Sequence, residues 1–177
     1  MDEKEYEKVE LFMGVLSSKG FPLALRKTLE ENFGEIEIIT EPIPFTFTNY
    51  YDEEMGLPIE RFFILFKNLV RPDFLVKSKK ITNEIEKRWE EDGKRKINLD
   101  PGTLSEANVI LATTKNRAHR VAIGNNLFAE ITLIYQNHGF TSFPWTYSDY
   151  KSEEVQNVLF AFRQHLLKKR KEEKSKA

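Results

Sequence analysis

The sequence predicts an α+β fold: a ferredoxin-like βαββαβ core, extended by further antiparallel strands and a C-terminal helix. Three observations predict it. Over residues 11–100, short apolar runs alternate with apolar stripes at helical spacing, in the order strand, helix, strand, strand, helix, strand. Residues 108–143 read almost wholly as strands cut by turn residues, and the last regular stretch returns to helical spacing. At 177 residues, 40% hydrophobic and 12% aromatic, the chain suits one domain with a sizeable core. Residues 1–177 are therefore read as a single domain, with loose ends at 1–8 and 168–177.

Each element has its own signal. Residues 11–16 are apolar and bounded by Gly20; Pro22 suits the first turn of a helix in which Leu25, Leu29 and Phe33 recur before Gly34 stops it. Residues 35–41 alternate, with Ile36 and Ile38 on one face, until Pro42 and Pro44 end the strand. Residues 61–66 form a second β-like run. After Pro72, a stripe of Leu75, Ile81, Ile85 and Trp89 marks a helix ended by Asp92 and Gly93, and 96–99 returns to strand. Strands at 108–114, 119–123 and 127–136 are separated by turn clusters at 115–118 and at Gly124, Asn125 and Asn126. Asn137, His138 and Gly139 turn the chain into 140–143. Ser152 is placed as an N-cap, followed by Glu153 and Glu154 and the stripe Val155, Val158, Leu159, Phe162 and Leu166.

Composition removes several functions. A formal charge of -1 lacks the excess that steers duplex nucleic acids. Zero cysteines exclude disulfides, thiolate metal sites and cysteine nucleophiles, and three histidines (His119, His138 and His165) argue against a multi-histidine zinc site. The charged amino-terminal residues do not read as a signal peptide, and no apolar run approaches the roughly 20 residues of a membrane span. A cytoplasmic protein without a membrane partner is expected. The last fifteen residues carry a local +5, read as a solvated helix end or, alternatively, as a contact for an anionic surface.

Candidate site residues lie where polar groups break the strand pattern. On 127–135, Leu127, Ala129, Ile131 and Leu133 form an apolar row, with Glu130 and Thr132 opposite. A carboxylate between hydrophobes needs a partner, and Arg120 on the adjoining strand is the expected one, whether in a plain ion pair or in a site. Asn98-Leu99-Asp100-Pro101-Gly102 reads as a strand end followed by a type II turn; Asp100 either bonds the turn amides or stands at a cleft rim as a proton acceptor or cation ligand. The segment 113–120 gathers Lys115, Arg117, His119 and Arg120 with hydroxyl and amide donors, either as a solvated turn or as an anion site. Two aromatic loops, 42–56 and 144–150, hold Phe45, Phe47, Tyr50 and Tyr51, then Trp145, Tyr147, Asp149 and Tyr150; they serve as a lid of extra core or as ring faces for a ligand. The segment 14–20 lies where a phosphate loop would, but Lys19 precedes Gly20 and the Walker order fails.

Taken together, Pro44-Phe45-Thr46-Phe47-Thr48-Asn49-Tyr50-Tyr51, Glu54-Met55-Gly56, Thr82-Asn83-Glu84, Asn98-Leu99-Asp100-Pro101-Gly102, Thr114-Lys115 with His119-Arg120, Glu130-Ile131-Thr132 and Pro144-Trp145-Thr146-Tyr147 with Asp149-Tyr150 resemble the prokaryotic domain-of-unknown-function family DUF4416. The resemblance runs through nearly the whole chain and implies one complete domain, with no established activity to carry over. The high Glu and Lys content and absence of Cys fit a thermophilic source.

Two functional readings stand. In the first, a cleft on the polar sheet face binds or acts on a small anionic ligand, phosphorylated or nucleotide-like. Asp100, His119 and Glu130 would be its catalytic groups, and Lys115, Arg120, Thr132, Trp145, Tyr147 and Asp149 its binding groups. In the second, the chain is a non-catalytic interaction module, with RNA as the partner, although no segment carries the RNP1 pattern. The sequence does not decide whether the protein is an enzyme, and it names no cofactor, metal or oligomeric state.

Overall fold

Nine strands form one sheet, in a computed structural model that describes residues 4–177. The elements are β1 (Glu10–Ser17), α1 (Leu23–Phe33), β2 (Ile36–Ile39), β3 (Ile43–Pro44), α2 (Asp52–Met55), β4 (Glu60–Phe66), α3 (Phe74–Arg88), β5 (Ile97–Leu104), β6 (Asn108–Thr113), β7 (Arg120–Gly124), β8 (Leu127–Gln136), β9 (Gly139–Ser142) and α4 (Glu153–Lys176). A single 3-10 turn, Asp149–Lys151, precedes α4. The sheet order is β2-β4-β1-β5-β6-β8-β7, with β3 beside β4 and β9 beside β8, and every pair is antiparallel.

The unbroken apolar runs of β1 and β4 are explained by burial on both faces. Leu11, Met13 and Val15 pack with Phe62, Ile64 and Phe66 under Leu25, Leu29 and Phe33 of α1 and Ile85 of α3. Phe12, Phe63 and Leu65 point the other way, onto Leu159, Phe162 and Leu166 of α4. Thus α1 and α3 share one face, as the sequence implied, and α4 covers the other. Ser152 caps α4 through its hydroxyl, which accepts from the Val155 N–H at 3.3 Å. The β7–β8 and β8–β9 hairpins turn on residue pairs with positive φ, Asn125 (52°) with Asn126 (59°) and Asn137 (51°) with His138 (62°), the geometry of a type I′ turn. His138 is thereby a turn residue.

Three local expectations change. Pro101 and Gly102 form no turn; they continue β5, opposite Met13 and Phe12. Pairing with β6 begins only at Gly102, so the edge of β5 at Pro101 carries no ladder there that a missing N–H would break. Gly102 is needed for packing, since a Cβ would stand 2.4 Å from the Phe12 ring and 2.8 Å from Leu111.

The apolar row expected along β8 is also interrupted. The register with β6 shifts between Val109 and Ile110, and this bulge flips the alternation. Leu133 turns into the α4 core, Glu130 lies opposite Leu111 of that core, and Ile131 is left 45% exposed.

The ends of the chain differ from each other. Residues 1–3 of the segment expected to be loose lie outside the described residues, and 4–8 form no helix or strand. At the other end α4 continues through 168–176, with Lys169 on Glu10 and Glu37 and Arg170 on Glu106 and the Lys8 carbonyl. No helix among the described residues is long and apolar enough to cross a membrane.

Candidate functional site

The site begins where β5 and β6 part. Residues 97–101 of β5 have no strand partner on the β6 side, and an unpaired, buried edge must be satisfied otherwise. Two side chains of α3 do this. A Glu86 carboxylate oxygen accepts the Leu99 N–H at 2.7 Å, and the Lys79 ammonium donates to the Leu99 carbonyl and to Oδ1 of Asp100, both at 3.3 Å. Burial pushes the Glu86 carboxyl up to about 6 against the pull of Lys79 and the Leu99 N–H. The splayed strands leave a lobe of about 210 Å³ lined by Asp100, Leu111, Lys115, Glu130 and Tyr147 among others.

A polar chain fixes this wall to the first aromatic loop. Asn98 donates to Oδ2 of Asp100 at 2.7 Å and accepts from Arg95 at 3.0 Å. Arg95 also grips Glu54 of α2 with two hydrogen bonds, at 2.8 and 2.9 Å, the bidentate arrangement available to a guanidinium. Asp100 is thus held rigidly, but by Lys79 and Asn98 rather than by turn amides.

The opposite wall is built on Glu130, which is 1% exposed. Its Oε2 accepts from Arg120 Nε at 2.9 Å and lies 3.0 Å from His119 Nε2, while Thr132 donates to Oε1 at 3.4 Å. Arg120 sits directly across the β7–β8 ladder, as the sequence implied. Its remaining nitrogens donate to the Lys115 carbonyl at 2.9 Å and the Tyr147 hydroxyl at 3.2 Å. The His119 and Phe143 rings each stack on Trp145, at 4.9 and 4.7 Å between centroids, and the indole N–H donates to the Ile131 carbonyl. Trp145 is thus tied to the wall through two rings and a backbone carbonyl.

Between the two aromatic loops lies a larger lobe of about 490 Å³, sharing Tyr50, Tyr51, Asp100, Leu111, Lys115 and Tyr147 with the first. At its deep end are three buried residues: Arg61 (5% exposed), Asp149 (3%) and Tyr150 (2%). Arg61 Nη2 pairs with Asp149 Oδ2 at 2.9 Å, and the guanidinium lies 5.3 and 5.5 Å from the Phe45 and Phe63 ring centroids. Arg61 Nε and Nη1, Asp149 Oδ2 and the Tyr150 hydroxyl have no hydrogen-bond partner among the described residues. Burial raises the Tyr51 phenol to about 12 and pushes Tyr150 well above its ordinary range, so both serve as neutral hydroxyls at physiological pH.

Of the residues singled out from sequence, Asp100, Lys115, Glu130 and Tyr147 meet in the first lobe, and Trp145 and Asp149 join Lys115 and Tyr147 in the second. His119, Arg120 and Thr132 gather on Glu130. Sequence reasoning missed Arg61, Lys79, Glu86 and Arg95 as site residues. The signal for Arg61 was its place two residues before Phe63 on one face of an apolar strand. For Lys79 and Glu86 it was their position on the buried stripe of α3 with Leu75 and Thr82. Among the described residues, no three His, Asp or Glu side chains are placed together to hold a metal ion.

No curated protein and no solved structure matches the chain. Residues 7–166 match the family model described as Domain of unknown function (DUF4416), and the chain belongs to that family.

Proposed function

We propose that the cleft binds a small anionic ligand, phosphorylated or nucleotide-like, with its anionic group at Lys115 and its ring between the two aromatic loops. The pairing of charges carries this reading. Among the cations lining the cleft, Arg61 is matched by Asp149, Lys79 by Asp100 and Arg95 by Glu54. Lys115, which lines both lobes, has no carboxylate within 4.0 Å among the described residues; its ammonium lies 5.2 Å from the Tyr50 ring centroid. An unpaired ammonium at the junction of two lobes supplies donors to an incoming oxyanion. Phe47, Tyr50 and Tyr147, at 41, 63 and 46% exposure, offer ring surface beside it. Asp100 and Glu130 are each engaged by a cation, and in this reading they hold the walls in position.

The strand order β2-β4-β1-β5, with α1 and α3 on one face, supports reading residues 10–104 as a ferredoxin-like unit. An RNA-binding module of that type presents an open sheet face, whereas α4 packs on the face opposite α1 and α3. The small-ligand reading is therefore favoured.

The test is thermal unfolding with ribose 5-phosphate and uridine 5′-monophosphate, on the wild type and on Lys115→Met, which keeps an apolar stem and removes the charge. Ligand at a hundred times Kd raises the melting temperature by about 5 to 10 °C, and Lys115→Met loses most of that rise. No rise with either compound, or a rise indifferent to Lys115→Met, refutes the proposal.

A further inference from the structure

The two lobes of the cleft differ in chemistry. Resting on the reading that the cleft takes an anionic ligand at Lys115, we infer that the smaller lobe receives a hydroxyl-rich arm of that ligand. Its phosphate then stands in the middle, between a flat ring in the larger lobe and a sugar in the smaller, as in a nucleoside diphosphate sugar.

The linings carry the division. Phe45, Phe47, Trp145 and Tyr150 line only the larger lobe, whereas among the residues that line only the smaller lobe Ala112 alone is apolar. At about 210 Å³ the smaller lobe falls below the roughly 300 Å³ at which small-molecule sites begin, and at about 490 Å³ the larger lies within their range. The smaller lobe therefore suits one arm of a ligand rather than a whole one. Lys115 lines both lobes, so a phosphate bound to its ammonium lies at their junction. A phosphate monoester held there sends its one substituent into one lobe; a ligand that fills both carries its phosphate between two arms.

Charge then selects the second arm. Of the cations lining the smaller lobe, Lys79 is matched by Asp100 and Arg95 by Glu54, which leaves Lys115. A carboxylate on the arm finds no further free cation, and an ammonium approaching Asp100 meets Lys79, already 3.3 Å from Oδ1. An apolar arm strips water from polar groups and replaces none of their hydrogen bonds. Hydroxyls, which both donate and accept, fit what the wall offers. The Asp100 side chain is 31% exposed, and each of its oxygens receives one hydrogen bond, from Lys79 and from Asn98. About two of its four lone-pair sites are left for a hydroxyl donor. Because Lys79 and Asn98 already fix the carboxylate, accepting that hydroxyl costs little ordering. Asn83, half-buried on α3, lines the same lobe with an amide that makes no hydrogen bond among the described residues. Thr113, at the end of β6, accepts the Lys115 N–H at 3.2 Å and retains its own proton to donate.

The experiment is isothermal titration of the full chain with uridine 5′-diphosphoglucose and with the β-methyl ester of uridine 5′-diphosphate, which has the same charge and no sugar. It is run on the wild type, Lys115→Met, Asn83→Leu and Asp100→Asn. Asn83→Leu removes an amide that bonds to nothing in the chain and adds a good helix former, so its melting temperature stays within about 2 °C of the wild type or rises. The expected result is uridine 5′-diphosphoglucose at least about tenfold tighter than the methyl ester. Asn83→Leu and Asp100→Asn each cut that preference to below about threefold, Asn83→Leu leaves binding of the methyl ester unchanged, and Lys115→Met weakens both compounds. Equal affinity for the two compounds, with binding still dependent on Lys115, overturns the sugar lobe and leaves the anion site standing. A preference for the glucose compound that survives Asn83→Leu and Asp100→Asn also overturns it, and if Asp100→Asn does not fold, Asn83→Leu decides alone. No binding of either compound, or binding indifferent to Lys115→Met, overturns the anion site and the sugar lobe together.

Discussion

Glu130→Gln preserves the shape of the best-buried carboxylate in the site and removes its charge. The structure sets the magnitude. Glu130 is 1% exposed and the Arg120 side chain 8%, so solvent screens their 2.9 Å contact little. The amide retains one acceptor oxygen; with that oxygen at the Oε2 position it still accepts from Arg120 Nε, its NH2 group then meets the Thr132 hydroxyl, and what is lost in either orientation is the negative charge beside Arg120. Arg120 keeps the Lys115 carbonyl and the Tyr147 hydroxyl, which lessen the loss without restoring a counter-charge. A lost charged hydrogen bond and a broken buried pair bracket the cost at about 3 kcal/mol, or a fall of about 6 to 12 °C in melting temperature for a chain of this size. Urea unfolding followed by circular dichroism at pH 7 measures it. The double variant Arg120→Met/Glu130→Met, which removes both charges, recovers at least half of the loss. Glu130→Gln within about 0.5 kcal/mol of the wild type, or a double variant no better than the single, refutes the assignment of Glu130 as the buried anchor of this wall.

Two further outcomes test the fold around the site. Burial pushes the Glu10 carboxyl up to about 7 despite its contact with Lys169, with Glu37 adding to the rise and Arg170 opposing it. A raised carboxylate binds its proton more tightly when folded, so the stability it confers is complete below pH 4.5 and is lost as pH rises through 7. Between pH 4.5 and 8 it accounts for about 3 kcal/mol, and Glu10→Gln should flatten that part of the stability profile; a profile unchanged by the substitution refutes it. Gly102→Ala should cost about 3 kcal/mol in the same urea assay, since its Cβ meets the buried Phe12 ring at 2.4 Å. A neutral effect would return Gly102 to the turn its sequence suggests.

Much of the fold was legible because it is local or periodic. The four-residue spacing of Leu25, Leu29 and Phe33, the cap at Ser152 and the Asn-rich hairpins each report on a few neighbouring residues, and each led to the right element. What failed depended on partners remote in sequence. Pro101-Gly102 reads as a turn until Phe12, some ninety positions away, is seen to need the space over Gly102. The face of Leu133 follows from a bulge in the β6–β8 register, and alternation within β8 alone carries no trace of it.

The site divides along the same line. Glu130 and Arg120 were paired in advance because a hairpin turn fixes which residues face each other. Lys79 and Glu86 were overlooked because the helical stripe was read through its apolar members, although Leu75, Lys79, Thr82 and Glu86 follow the same i, i+4, i+7, i+11 progression and all are buried. A charge on a buried stripe carries a large desolvation cost unless something polar awaits it. Here two charges of opposite sign stand seven residues apart on one stripe, and what awaits them is the open edge of β5 at Leu99. Arg61 obeys the same rule on a strand: alternation puts it on the face of Phe63 and Leu65, so it must be buried, and a buried guanidinium requires a carboxylate, which the distant Asp149 supplies. In each case the place in the pattern identifies a residue that burial alone would disfavour. The partner it finds explains why it is tolerated, even where the fit is imperfect: Arg61 keeps its charge partner Asp149 at 2.9 Å while its Nε and Nη1 make no hydrogen bond among the described residues.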